Sequence, residues 1–132
     1  MEKNMNDAIL ETIDKAMAET LFPVPGDIIS ARYHYGIYIG HGEVIYLPVP
    51  TSEKPEPVFT LEFMSYFMGS KPIVVKRETE DSVNKPLPAD EIIARAKSVL
   101  GKHLGVEIGR RKDFVNWCRY GITAPDIQAA TF

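Results

Sequence analysis

Cysteine is nearly absent from this 132-residue chain: Cys118 is the only one. A single thiol forms no internal disulfide and no zinc site built on two or more thiolates. Long apolar runs are also missing; none approaches the roughly 18 residues of a membrane-spanning helix. There is no excess of positive charge. Lys and Arg number 15 against 18 Asp and Glu, a net charge of −3, whereas general nucleic-acid binding needs a basic footprint. Residues Met1 to Asp7 are polar and acidic, unlike the basic-then-apolar start of a signal peptide. The three histidines are scattered, with no carboxylate cluster beside them, so neither a metal nor another cofactor is expected. These absences point to a soluble, cytoplasmic protein of a reducing compartment, without a transmembrane segment. What remains is ordinary globular material, 45% hydrophobic and 25% charged, of a size that carries its own core as one domain.

Residues 6–21 read as an amphipathic helix. Ile9, Leu10, Ile13, Met17 and Leu21 recur at spacings of 3 and 4, and Asn6 or Asp7 can cap the start. Phe22-Pro23-Val24-Pro25-Gly26 ends it. Residues 27–31 and the two runs 35–39 and 43–47, which flank Gly40-His41-Gly42, read as a strand and a hairpin. Four prolines between 48 and 57 predict a surface loop. Phe59 to Met68 is either a short helix or a buried irregular segment, Pro72 to Arg77 a strand, and Glu78 to Asn84 a charged loop. The clearest helix covers 88–100, with Pro88 in its first turn, an apolar face of Ile92, Ile93, Ala96, Val99 and Leu100, and Gly101 as its stop. A second helix spans 112–120 with Phe114, Val115 and Cys118 inward.

A cysteine hydrolase or acyltransferase needs a thiolate, an imidazole that deprotonates it and a polar group that orients the imidazole. His34 stands at the start of a strand, where a side chain can face a cleft. His41 falls in a turn, and His103 follows a helix end that it can cap electrostatically. Cys118 lies inside a helix in an apolar run, the setting of a small core hydrophobe rather than a nucleophile. Arg110, Arg111 and Lys112 bring three consecutive cations to a helix start. They read either as a solvated charge run or as an anion site combining arginine with free backbone N–H groups.

Pro25-Gly26-Asp27-Ile28-Ile29 followed by His34-Tyr35-Gly36-Ile37-Tyr38-Ile39-Gly40-His41-Gly42-Glu43-Val44-Ile45 resembles the H-box of the LRAT-like proteins. That family includes lecithin:retinol acyltransferase and the small phospholipase A/acyltransferases, and has a circularly permuted NlpC-type, papain-like fold. Pro86-Leu87-Pro88, Ile92 to Ala96 and Val99-Leu100-Gly101 resemble its central helix. Phe114-Val115-Asn116-Trp117-Cys118-Arg119-Tyr120-Gly121 and Asp126-Ile127-Gln128 resemble its C-terminal block. The His-Tyr-Gly form of the H-box and the lack of an apolar tail are closest to the picornaviral 2A proteins of the H-box/NC type.

The resemblance places His34 at the general-base position. Tyr46 stands where the cellular enzymes carry a second histidine that orients the first. The family's nucleophile block, Asn-Cys-Glu-His-Phe-Val, falls on Arg110-Arg111-Lys112-Asp113-Phe114-Val115, so Arg111 occupies the cysteine position. A guanidinium stays protonated and cannot attack a carbonyl.

The expectation is an α+β protein: residues 1–22 an N-terminal amphipathic helix, residues 23–132 an LRAT-like antiparallel sheet packed by helices. The triad positions His34, Tyr46 and Arg111 imply a catalytically inactive 2A-type effector that binds a host or cellular protein. The alternative is a thiol-dependent phospholipase/acyltransferase remodelled around His34 and Cys118. Arg110, Arg111, Lys112 and Arg119 are the candidate anion or partner contacts, with phospholipid or RNA as further ligands.

Overall fold

The computed structural model describes residues 22–31, 34–75, 84–104, 111–122 and 127–129. Its centre is a five-stranded antiparallel sheet built from β1 (Ile28–Ala31), β2 (His34–Gly40), β3 (Glu43–Tyr46), β4 (Thr60–Phe63) and β5 (Val74–Val75), in the order β4-β3-β2-β1-β5. Helix α1 (Met64–Met68) follows β4 directly. Helices α2 (Ala89–Ser98) and α3 (Arg111–Tyr120) come later, and β6 (Lys102–Leu104) pairs antiparallel with β7 (Ile127–Ala129).

Side chains alternate between the two faces of a strand, and the register shows which residues share a face. Ile28, Ile37, Ile45 and Leu61 lie opposite one another across four strands. The first three enter the main core with Ile92, Ala96 and Val99 near α2 and Phe114, Val115 and Cys118 of α3. One residue over, Ile29, Gly36, Tyr46 and Thr60 form the next row. It belongs to the opposite face, where Ile29, Ala31, Val44 and Tyr46 pack with Phe67 of α1. The sheet is therefore sandwiched between α2 and α3 on one side and the short α1 on the other.

The hairpin is tighter than the three-residue link the sequence suggests. Gly40 still pairs with Glu43, with a register shift after Tyr38, and the turn is His41–Gly42. Both turn residues have positive φ, 54° and 73°, the conformation that matches the twist of the flanking strands. Phe59 to Met68 is neither of the expected alternatives alone. Thr60 and Glu62 pair with β3 before the chain turns into α1, a helix too short to display a 3.6-residue period. Helix 88–100 closes two residues early, with Val99 as its C-cap and Gly101 at φ 79°, and the 112–120 helix begins at Arg111. His103, expected just past a helix end, is instead part of a strand. It lies in β6, half-buried and opposite Gln128. The backbone explains this placement: Gly101 N–H donates to Phe59 O at 3.0 Å and Phe59 N–H donates to Lys102 O at 2.8 Å, drawing residues 102–104 into extended pairing at the start of β4. The proline loop 48–57 is largely exposed as expected. The helix expected over 6–21 and most of the charged loop 78–84 lie outside the described residues.

Candidate functional site

His34 begins β2 opposite Ala31, and Tyr46 ends β3 opposite Gly36. Both point to the α1 face of the sheet. Their rings meet edge to face with centroids 5.3 Å apart, and Phe67 of α1 completes the group at 5.7 Å from His34 and 4.9 Å from Tyr46. Gly36 makes this packing possible: a Cβ there would stand 2.6 Å from Val44 Cγ2 and 3.3 Å from Tyr46 Cβ. Tyr46 is buried, and burial pushes its phenol above the ordinary tyrosine value. The charge of Glu62 and then Tyr66 push it the same way. Position 46 thus holds a neutral phenol wedged between aromatic rings.

Cys118 sits on the other side of the sheet. Its side chain is fully buried among the residues that α2 and α3 place on the helical face. Burial pushes its thiol far above the usual thiol range, and the nearby Arg95 charge only partly opposes this. His34 and Cys118 are therefore divided by the sheet itself and form no nucleophile–base pair. The inward placement of Phe114, Val115 and Cys118 read from the sequence matches the structure.

Arg111 opens α3, followed by exposed Lys112 and half-buried Asp113; Arg110 lies outside the described residues. Arg119, grouped with these cations in the sequence, requires correction. It is buried, 7% exposed, and its guanidinium donates to Gly26 O at 2.8 Å and to Asp27 Oδ1 at 3.4 Å. The Asp27 carboxylate is fully buried and accepts from Val24 N–H through Oδ2 at 2.8 Å. A carboxylate in that setting needs a counter-charge, and Arg119 supplies it from two turns further along α3 than Lys112. The basic run is thus confined to the helix start. The Asp27–Arg119 pair joins residues 92 positions apart, which no local pattern reveals. The one sequence hint was an acidic residue immediately before an apolar strand.

A second link fixes α3 to α2. Arg95 lies over the Trp117 ring at 5.1 Å, donates to Trp117 O at 3.3 Å and pairs with Glu91 at 3.6 Å. The sequence shows Glu91 and Arg95 at i, i+4, but not their attachment to Trp117.

No helix among the described residues is long and apolar enough to cross a membrane. Against known proteins, the profile of the lecithin retinol acyltransferase family matches residues 23–124. Human phospholipase A and acyltransferase 2 is 28% identical over 123 residues, covering 79% of this chain and 75% of that protein. Mouse phospholipase A and acyltransferase 3 is 26% identical over 122 residues, with 79% and 75% covered. The matched span begins ahead of β1, contains the whole five-stranded sheet with α1 and α2, and ends past α3, so the chain belongs to the lecithin retinol acyltransferase family.

Proposed function

We propose that this protein has lost acyl-transfer chemistry and works by binding a partner. The observation that carries the reading is Arg111 at the first position of α3, where the family's sequence block has its nucleophilic cysteine. Arginine holds its proton and offers no attacking lone pair. Two further observations support it. Cys118, the one thiol in the chain, is buried on the helical face with its ionisation suppressed, and thiolate character is what thiol catalysis needs. Tyr46, at the position of the orienting histidine, is a buried phenol held by ring contacts. The setting we assign is a 2A-type viral effector acting on a host protein, from the His34-Tyr35-Gly36 form of the H-box. Arg110, Arg111 and Lys112 are its contact for a carboxylate or phosphate on the partner.

The names of the relatives define the competing activity, a phospholipase A or acyltransferase. The two readings separate by intact-mass measurement after incubation with a short-chain phosphatidylcholine or an activated acyl thioester. The expected result is an unmodified chain and no released fatty acid. An acyl adduct on Cys118 that disappears in His34→Ala would overturn the proposal.

A further inference from the structure

Strand β4 ends the five-stranded sheet, and among the described residues no strand pairs with its outer side. Along an antiparallel strand the N–H and C=O of one residue point to one side and those of the next residue to the other. Phe59 bonds outward, to Gly101 and Lys102, and Met64 N–H donates inward, to Gly42 O at 2.7 Å. Thr60 and Glu62 therefore turn their backbone groups to β3, and Leu61 and Phe63 turn theirs away from the sheet. The side chains of these two share the helical face with Ile45 and are 37% and 66% exposed. An open edge carrying exposed apolar side chains is a template for another strand.

The opposite face says which strand. Glu62 lies opposite Val44, so its half-buried side chain is on the α1 face. Glu62 and the exposed Tyr66 of α1 both stand close enough to the Tyr46 phenol to raise it. A strand laid along β4 sets one residue opposite Glu62, between two that share the helical face with Leu61 and Phe63. Lys or Arg suits the first place, where a carboxylate and a tyrosine ring meet a cation. Apolar residues suit the other two.

A second copy of this chain does not fit. The antiparallel register that uses both Leu61 and Phe63 sets Glu62 directly against Glu62 of the other copy, and like charges so placed repel. A register centred on Leu61 needs Phe59, whose outward groups Gly101 and Lys102 already hold. A register centred on Phe63 sets Leu61 opposite Ser65, inside α1.

We propose that the open edge of β4 binds an extended segment of a partner protein with the pattern apolar–basic–apolar, its backbone paired with Leu61 and Phe63 and its basic side chain opposite Glu62. This deepens the partner-binding reading and rests on it for its purpose. An acyl adduct would remove that reading and leave the edge as it is, whereas loss of peptide binding would remove the edge and leave Arg111 as it is.

Two measurements on the full-length chain test this. In amide hydrogen exchange, the Leu61 and Phe63 N–H groups should exchange fast at any protein concentration, with those of Thr60 and Glu62 protected. The second measurement is an NMR titration with the acetylated, amidated peptide Thr-Val-Lys-Val-Thr, which should bind and newly protect Leu61 and Phe63. Glutamate in place of its lysine should weaken binding about tenfold. Glu62→Gln should make the two peptides equal, and Glu62→Lys should reverse their order. N-methylation of both valines, whose N–H groups face β4, should abolish binding, and N-methylation of the lysine should leave it intact. Protection of Leu61 and Phe63 in the free monomer would mean that this chain already covers the edge. Protection that grows with protein concentration would mean a second copy. Either result, no peptide binding, equal affinity of the unaltered chain for both peptides, or binding that survives methylated valines would overturn the proposal.

Discussion

Gly36 shows how one missing methyl group lets the Tyr46 ring pack beside His34. It faces the row Ile29–Gly36–Tyr46, and a Cβ would meet Val44 Cγ2 at 2.6 Å and Ile45 O at 3.1 Å. Neither neighbour yields easily, since one belongs to a β-branched side chain and the other is backbone in a paired strand. Gly36→Ala is expected to destabilise by about 1–3 kcal/mol through overpacking, measured by urea unfolding, and to loosen the Tyr46–Phe67 contact. Cys118 gives a residue-scale prediction of another kind. In the unfolded chain its thiol ionises near the ordinary 9.0, whereas in the fold burial keeps it protonated well above that. Unfolding therefore releases a proton above pH 9.0, and stability falls as pH rises past that point. Tyr46, also raised, adds a further loss above its ordinary 10.0. Urea unfolding across about pH 8 to 10.5 should show the decline, and Cys118→Ala should flatten its first part.

Between elements, a buried ion pair fastens the approach to β1 onto the far end of α3. Arg119 and Asp27 are both buried, with side chains 8% and 1% exposed. Removing one partner strands the other's charge out of water. Arg119→Met is expected to cost about 3–5 kcal/mol, and the double variant with Asp27→Asn to recover part of it. The Glu91–Arg95 pair is half open to solvent, 48% and 29% exposed. Glu91→Ala should cost less than about 1 kcal/mol in the same denaturation assay. These ties mark where sequence reading succeeds and where it stops. The helices at 89–98 and 111–120 announce themselves because one face of each is buried, so period and burial coincide. The first three strands, covered on both faces, announce themselves as short β-branched and aromatic runs around a glycine-rich turn. Strand β6 does not, because its pairing is imposed by Phe59, more than forty residues earlier in the chain. Helix α1 is only five residues long, and five residues cannot display a helical period. The Asp27–Arg119 pair was invisible because charge complementarity across such a separation leaves no local trace.

For the molecule as a whole, the candidate positions His34, Tyr46 and Arg111 come from the resemblance alone, because the H-box and the C-terminal block are contiguous motifs in which residues can be counted. Their arrangement was not legible. Strand alternation puts the His34–Tyr46 pair on the face closed by Phe67, and Cys118 under the opposite face with α2 and α3. No count along the sequence shows that the sheet stands between the only thiol and the histidine. This separation makes Arg111→Cys the informative substitution. A cysteine there would occupy the first turn of α3, where free backbone N–H groups and the adjacent Lys112 favour a thiolate. It should react rapidly with iodoacetamide, while Cys118 in the same molecule reacts slowly until the protein is unfolded. Reactivity alone is not acyl transfer. That step needs an imidazole held in the orientation that accepts the thiol proton and returns it to the leaving group, and the neighbour offered to His34 is a phenol engaged edge-on by two rings. The expected outcome is therefore a fast-labelling thiol with no acyl-enzyme and no fatty-acid release. Recovery of acyl transfer from Arg111→Cys alone would mean that Tyr46 orients His34 as well as a histidine does, and that the nucleophile was the one part missing.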